Sequence, residues 1–303
     1  MAGPLLIADV PWLLYRSFFG LPKSIKGADG KPVNALLGTV NAILAVVEAR
    51  PAGGEVRGVV ACMGAEQAAY RVALYEPYHA HRPPMPPELA DQWQKAPALL
   101  ESLGWTFMTS EDLEADDLML SFARVEARAG GAALLLTADR DLYGAVDERT
   151  SVVELRKGGA HGEIDVAGVR ERYGIDPGQV ADFIALRGDP SDGLPGAPGI
   201  GAKTAAELLR EHGSLEQLLA AAAATGLATP TPAGSALKGR AATALRENAE
   251  LLRAFKEVAT LQEVKVKRPA QRKRVTDYGG GADAAQALGM RRLAERLRTL
   301  AGA

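Results

Sequence analysis

The residues with the clearest chemical potential in this sequence are acids placed directly after short apolar runs. Asp9 closes the run that begins at Leu5, and Asp139 and Asp141 follow the run 133–137. Such runs predict parallel strands, and in open α/β sheets functional groups gather at the carboxyl ends of the strands. The two-residue spacing of Asp139 and Asp141 lets both side chains point to one side of an extended segment. We therefore expect these acids to meet at one edge of a sheet.

Further acids occur where other elements begin or turn. Glu114, Asp116 and Asp117 open a predicted helix, and Asp189 and Asp192 flank a Pro-Ser pair. Each acid alone fits an ordinary structural role, because acids favour helix N-termini and turns. Together, eight carboxylates at the ends of successive elements would repel one another unless cations neutralised them. The predicted metal ligands are Asp9, Glu114, Asp116, Asp117, Asp139, Asp141, Asp189 and Asp192.

The residue types indicate which metal and which reaction. The single Cys62 excludes an internal disulfide and a Cys-based zinc site, and the four histidines are scattered along the chain. Carboxylate oxygens are the ligands that Mg²⁺ or Mn²⁺ prefers. Two such ions roughly 4 Å apart can activate a water and stabilise the leaving oxygen of an in-line attack on phosphorus. The acids therefore predict two-ion hydrolysis of phosphodiester bonds.

A second pattern indicates DNA binding. Residues 196–209 predict a tight turn that runs into an amphipathic helix, and another helix is predicted from Ser214. Glycines let the backbone approach a phosphate, and the free N–H groups at a helix start attract it. This helix-hairpin-helix pattern predicts contacts to the duplex backbone without sequence preference. The residues concerned are Gly199, Gly201, Lys203 and Thr204, and a connection used only for packing is the alternative.

These motifs need a sheet and helices to position them. Strands are predicted at 5–9, 58–63, 105–108, 133–137 and 152–155, and helices at 34–49, 87–103 and 115–128. After about residue 165 the strand signals stop, and short Ala- and Leu-rich helices are broken by Gly, Pro and Asp. Residues 226–234 predict a loop and 279–281 a flexible joint. The fold class is therefore α/β, with a mostly parallel central sheet flanked by helices and a C-terminal helical region.

Composition adds limits on class and location. The net charge of -2 carries no polyanion-binding signature, and no apolar run is long enough for a membrane span or a signal peptide. A cytoplasmic protein with no membrane partner is expected. A local cluster of cations lies near the C-terminus, and it fits either a solvated segment or a phosphate-binding one. Its members are Lys265, Lys267, Arg268, Arg272, Lys273 and Arg274.

Taken in order, the motifs resemble one family. They are Leu-Leu-Ile-Ala-Asp9, Tyr15-Arg16, Glu114-Ala-Asp-Asp117, Thr137-Ala-Asp-Arg-Asp141, Gly188-Asp-Pro-Ser-Asp192 and the hairpin. Over roughly residues 4–260 the chain resembles the bacterial 5′-nuclease family of flap endonucleases and 5′-3′ exonucleases. Members of that family occur as free enzymes or as the N-terminal domain of DNA polymerase I. Since no polymerase portion follows residue 303, the resemblance implies a free-standing member.

The resemblance implies a PIN-like core at 1–165 with a helical arch around 70–100. It also implies a helical DNA-binding region at 166–262 with the hairpin at 196–219, and a basic segment with a C-terminal helix at 263–303. The implied enzyme is a Mg²⁺-dependent monomer that removes 5′ flaps and 5′-terminal nucleotides during DNA replication and repair. Asp9, Glu114 and Asp116 would help to hold the first ion, and the other acids would serve the second ion or its outer shell. Arg16, His79 and Arg82 would act in catalysis, and Tyr15 and Arg71 would contact DNA.

The chain departs from the family pattern at two positions. Gly64 stands where the family has an Asp that helps to coordinate the first metal, and His79 stands where a Lys is usual near the scissile phosphate. Either Glu66 supplies the missing oxygen or a water does, with weaker metal binding.

Three functions compete. The leading one is a structure-selective 5′ nuclease acting on DNA. The second is a catalytically reduced paralogue that binds branched or flapped DNA, which the change at Gly64 favours and the eight retained acids oppose. The third, an RNA-cleaving nuclease, is disfavoured by the helix-hairpin-helix pattern.

Overall fold

A six-stranded sheet carries the acids that follow the apolar runs. The computed structural model describes residues 3–49, 54–155, 161–224, 237, 239–271 and 274–302. The strands are β1 (Leu5–Asp9), β2 (Gly58–Met63), β3 (Thr106–Thr109), β4 (Ala133–Leu136), β5 (Thr150–Leu155) and β6 (His161–Ile164). Their order is β3-β2-β1-β4-β5-β6, with β1 to β5 parallel and β6 antiparallel to β5. Because the chain steps from β1 to both of its neighbours, a crevice opens at the carboxyl end of β1.

Helices cover both faces of the sheet and form the second half of the chain. In the first half they are α1 (Val10–Gly20), α2 (Asn34–Ala49), α3 (Ala69–Leu74), α4 (Pro87–Ser102) and α5 (Ala115–Arg128). The second half holds α6 (Val166–Tyr173), α7 (Val180–Arg187), α8 (Ala202–His212), α9 (Leu215–Ala224), α10 (Gly239–Glu247), α11 (Ala249–Ala259), α12 (Tyr278–Ala287) and α13 (Arg291–Ala301). Of these helices, none combines the length and apolar character that a bilayer crossing needs.

The strands and helices predicted in the first half of the chain are present, with small differences at their ends, and one further strand was not predicted. All five predicted strands are present, and no strand follows Ile164 in the described residues. The strand predicted at 105–108 runs one residue later, and the one predicted at 152–155 begins two residues earlier, at Thr150. Strand β6 was not predicted, because its sequence His-Gly-Glu-Ile has no apolar alternation. The predicted loop at 226–234 lies outside the described residues.

Two apolar clusters lie on opposite faces of the sheet. One packs α5 and the helices α6 to α11 against one face, with Leu135 and Phe183 among its members. The other packs α1, α2 and α4 with the last two helices, and it includes Leu36, Leu99 and Leu297. Residues on each strand alternate between the two clusters, as the pleat requires. The C-terminal helices are therefore part of the α/β core.

The predicted joint at 279–281 is wrong, because these residues form part of α12. A Cβ atom on Gly280 would lie 2.6 Å from the carbonyl oxygen of Ser102, and one on Gly281 would lie 2.3 Å from Leu103 Cδ2. The glycines therefore allow close packing of α12 on the end of α4. The region after residue 263 also holds two helices rather than the single predicted one.

The basic segment is docked on α5 where the structure describes it. Arg268 pairs with the buried Glu126, which also pairs with Arg57, and Arg57 donates to the carbonyl oxygen of Pro269 at 3.1 Å. Lys267 is exposed. Arg268 therefore has a structural role, which neither alternative for this segment had anticipated.

The predicted arch region contains α3, a turn-rich segment and α4. Helix α4 buries Leu89, Ala96 and Leu99 in the core. The segment 75–88 is more open: Arg82, Pro83 and Pro84 are exposed, although Tyr78 and His79 are buried.

Candidate active site

Asp9 lies at the centre of the crevice, and its two carboxylate oxygens contact different parts of the fold. It ends β1 and caps α1, where its Oδ1 accepts the N–H of Trp12 at 3.0 Å. Its Oδ2 accepts the hydroxyl of Thr137, which follows β4, at 2.7 Å. The side chain is only 4% exposed. Burial, the largest cause, raises the pKa of Asp9 to about 7, and repulsion from Asp139 adds to the shift.

Three more aspartates face the same space. Asp116 comes from the first turn of α5, and Asp139 and Asp141 follow β4. Burial, followed by repulsion from Asp139 and Asp9, raises the pKa of Asp116 well above its usual range. Asp141 shows the same direction, from burial first and then from repulsion by Asp139. The charged forms are therefore costly together, and cations would relieve that cost.

Asp189 and Asp192 complete the acidic set from the turn after α7. Asp189 is buried, accepts from Arg187 Nη2 at 2.9 Å and from the N–H of Ser191 at 2.9 Å. Desolvation, together with repulsion from Asp192 and Asp189, raises the pKa of Asp139 across the cleft. Six aspartates from four parts of the chain therefore converge on the carboxyl end of the sheet.

His79 and Arg82 approach this turn from the segment between α3 and α4. The Oδ1 of Asp192 accepts from His79 Nε2 at 3.0 Å and from Arg82 Nη2 at 3.0 Å. His79 is buried, stacks on Tyr78 with the ring centroids 3.7 Å apart, and is the only non-glycine residue with a positive φ, 56°, in the described chain. Its backbone is therefore held in a strained conformation at the site. The structure makes His79 a partner of Asp192, whereas Arg82 is half exposed and can reach a ligand.

A groove runs beside the acids. It encloses about 450 Å³ and is lined by Trp12, Asp139, Arg140, Asp189 and Ser191, among others. It joins the acidic cluster to the outer face of α1. Arg16 is exposed on that face, with its guanidinium 5.8 Å from the ring centroid of Trp12.

The acids fit a divalent metal centre by chemistry and place. Within the part of the chain that the structure describes, no three acidic or imidazole side chains already stand in the tight arrangement that one bound ion imposes. The aspartates nevertheless offer only oxygen donors and are close enough to raise one another's pKa. Carboxylate oxygens are the ligands that a hard divalent cation prefers.

Glu114, Asp117 and Arg71 form a separate buried cluster beside the aspartates. Arg71 Nη2 lies 2.9 Å from Asp117 Oδ1, and its Nη1 lies 3.2 Å from Glu114 Oε2. Asp117 is fully buried and also accepts the hydroxyl of Tyr70 at 3.2 Å and the N–H of Gln262 at 2.8 Å. This placement argues against the predicted DNA contact of Arg71 and against Asp117 as a metal ligand, because solvent reaches neither side chain.

The surroundings of Gly64 and Glu66 bear on whether Glu66 replaces the acid that the family pattern has at position 64. A Cβ atom on Gly64 would lie 2.3 Å from the carbonyl oxygen of Leu113, so backbone fills the space of the missing side chain. Glu66 accepts the hydroxyl of Tyr15 at 2.7 Å and faces α1 instead of the aspartates. Tyr15 also stacks with the exposed Phe19 at 6.3 Å between ring centroids. The structure thus gives Glu66 a partner outside the cluster.

The hairpin forms a separate surface. Gly199, Gly201 and Lys203 are exposed, and Thr204 is half-buried in the first turn of α8. The φ of Gly199 is 77° with open space at its Cβ position, and Ile200 anchors the turn in the core. The exposed N–H groups at the start of α8 are therefore available to a phosphate.

Thr137 and Tyr78 also belong to the site, although neither was predicted from the sequence. Thr137 holds Asp9, and Tyr78 holds Glu114 through a hydrogen bond of 3.0 Å. Thr137 was visible within the Thr-Ala-Asp-Arg-Asp motif. Tyr78 carried no local signal, because its partner is 36 positions away.

The chain is similar to known proteins over most of its length. Residues 4–174 match the family model described as 5′-3′ exonuclease, N-terminal resolvase-like domain, and residues 175–277 match 5′-3′ exonuclease, C-terminal SAM fold. A 5′-3′ exonuclease of Streptomyces coelicolor is 40% identical over 232 residues, which are 71% of this chain and 74% of the relative. The thermostable DNA polymerase I of Thermus thermophilus is 38% identical over 220 residues, 72% of this chain but 25% of that protein.

A solved structure shows the same fold. It is the bacteriophage T5 D15 flap endonuclease in a pseudo-enzyme-product complex with DNA and metal ions, with a TM-score of 0.67 and 18% identity. The match covers 99% of this chain and all of that one. Since two successive family models and a relative of similar length all match, the chain belongs to the 5′-3′ exonuclease family and is a nuclease.

Proposed function

We propose that this nuclease hydrolyses phosphodiester bonds at 5′ ends and 5′ flaps of DNA, in replication and repair, with two Mg²⁺ or Mn²⁺ ions. The observation that carries the proposal is the convergence of six aspartates beside a groove that Arg140 lines, with Arg82 bonded to Asp192. Acids and cations side by side suit a site that binds both metal and phosphate. The T5 flap endonuclease, which has the same fold, was solved with DNA and metal ions.

The aspartates would hold the ions, and the neighbouring cations would hold the phosphate. When bound, two divalent ions supply a water of lowered pKa and neutralise charge on the leaving oxygen. Arg82, fixed by Asp192 and the carbonyl oxygen of Ser191, orients the scissile phosphate and stabilises its developing charge. His79 fixes Asp192 in turn.

The substrate would extend from this groove in two directions. The exposed glycines and Lys203 of the hairpin bind the duplex backbone. Tyr15 and Arg16, on the outer face of α1, contact the DNA nearest the cleavage point. We place the threading of the 5′ end at the segment 75–88 and propose that the protein acts as a monomer in the cytoplasm, beside the DNA.

A cleavage assay tests the proposal. The protein is incubated with a labelled 5′-flap duplex, a nicked duplex and single-stranded RNA, each with Mg²⁺, Mn²⁺ or EDTA. We expect metal-dependent cuts in both DNAs and none in RNA, and loss of cutting in Asp139→Asn. Asp283→Asn, the same change at an exposed acid on α12, should cut normally. Tight flap binding without cleavage under any metal would instead support the non-cleaving paralogue.

A further inference from the structure

Glu114 differs from the six aspartates in what its oxygens face. Its Oε1 accepts the N–H of Ala68 at 2.7 Å, and its Oε2 accepts the hydroxyl of Tyr78 at 3.0 Å. The same Oε2 lies 3.2 Å from Arg71 Nη1. All three donors belong to α3 and its flanking segments. The carboxylate is therefore engaged on the side of α3, and its remaining capacity for a metal is small.

Arg71 ties this contact to the helical half of the chain. Its Nε donates to the carbonyl oxygen of Val258 near the end of α11 at 3.0 Å, and the side chain is 3% exposed. Its charge is balanced by Glu114 on one side and Asp117 on the other. In a buried cluster each partner is needed, because removing one leaves an uncompensated charge.

The absence of a side chain at Gly64 allows Glu114 to lie beside α3. Since Gly64 has no side chain, the backbone of Leu113 and Ala115 rests on the end of β2, with 2.7 Å between a Cβ at position 64 and the Ala115 nitrogen. The N–H of Ala65 donates to the carbonyl oxygen of Leu113 at 2.9 Å. The start of α5 therefore packs closely on the end of β2, and Glu114 lies beside Ala68.

We infer that Glu114 is a positioning residue and that six aspartates alone hold the metal ions. The ion pairs of Arg71 with Glu114 and Asp117 hold the first turn of α5 in place. Asp116 in that turn then faces Asp9. The inference rests on the proposed metal-dependent function, because it concerns where those ions bind.

The direction of the change in Tm, measured on metal-free protein, distinguishes a positioning residue from a metal ligand. Glu114→Gln leaves Arg71 with one carboxylate instead of two, so we expect the Tm in EDTA to fall by about 5–10 °C. Asp116→Asn removes a charge that its neighbours repel, so its Tm in EDTA should stay the same or rise. If Glu114 were instead a metal ligand repelled by the aspartates, Glu114→Gln would leave the metal-free Tm unchanged or raise it, as expected for Asp116→Asn. If Glu114→Gln raises the metal-free Tm, the inference is overturned.

Mn²⁺ binding, followed by calorimetry below the melting range, gives the second readout. We expect the Kd of Glu114→Gln to stay within about threefold of wild type, and that of Asp116→Asn to weaken about tenfold or more. Equal weakening in both variants would overturn the inference.

Tyr78→Phe keeps all acids and serves as a milder probe. It should lower the metal-free Tm without changing the Kd for Mn²⁺, because only the contact to Oε2 is lost. A Tm equal to that of wild type would show that Glu114 is not held there and would also overturn the inference. None of these readouts requires cleavage. A wild-type protein that binds Mn²⁺ but cuts no DNA would therefore refute the proposed function alone.

Discussion

Restoring the missing acid at Gly64 should damage the protein instead of improving it. A Cβ at this position would lie 2.3 Å from the carbonyl oxygen of Leu113, 2.6 Å from the carbonyl carbon of Glu114 and 2.7 Å from the Ala115 nitrogen. All three atoms are backbone, so the start of α5 must move to admit any side chain. Overpacking of a buried site costs about 1–3 kcal/mol, and the hydrogen bond from Ala65 to Leu113 adds about 1 kcal/mol.

We therefore expect Gly64→Ala to lose about 2–4 kcal/mol of unfolding free energy, and Gly64→Asp to lose more because it also adds a charge to the cluster. Gly58→Ala, at the start of the strand that Gly64 follows, is the matched control, since its Cβ would meet only Leu5 Cδ1, at 3.6 Å. Urea denaturation in EDTA gives the free energies. The reasoning is refuted if Gly64→Asp is as stable as wild type and binds Mn²⁺ more tightly.

Three further predictions concern pH, catalysis and DNA binding. The pKa of Asp9 rises from 3.8 to about 7 on folding, so its contribution to the stability of the metal-free protein is greatest below about pH 4, and up to about 4 kcal/mol of it is lost as the pH rises from about 4 to 7. Tm measurements in EDTA should show this slope in wild type and a flatter one in Asp9→Asn, where the amide still caps α1. Arg82→Ala should lower the single-turnover cleavage rate by about 10²–10³, and an unchanged rate would remove Arg82 from the mechanism. Lys203→Ala should reduce the slope of log Kd against log salt by about one for duplex DNA, and a slope equal to that of wild type would exclude a phosphate contact.

The fold was predictable from sequence where periodicity carried the information. Buried parallel strands appear as short apolar runs, and acids after those runs must meet at one edge. The placement of Asp9, Asp139 and Asp141 follows from that rule. Strand β6 was not predicted because it forms by antiparallel pairing with β5, and its own residues carry no strand pattern.

The roles within the site were harder to predict because they depend on contacts between distant positions. Arg71 and Asp117 are 46 positions apart, and the carbonyl oxygen of Val258 lies 187 positions beyond Arg71. No local pattern distinguishes an acid that faces a crevice from one that faces a buried guanidinium. Similarly, the glycines of α12 predicted a joint because their packing partners on α4 are far away in sequence.

The last helix of the chain packs on one of the first, so the ribosome makes the two contacting helices far apart in time. Arg296 of α13 donates to Asn41 and Glu48 of α2, at separations of 255 and 248 residues. At about 5–20 residues per second, the ribosome needs between about 10 and 50 s to synthesise the chain between these partners. During that interval the apolar faces of α2 and α4 lack the helix that covers them, and folding must wait for contacts of long sequence separation. The nascent chain is therefore exposed to aggregation and to chaperones until α13 has left the ribosome.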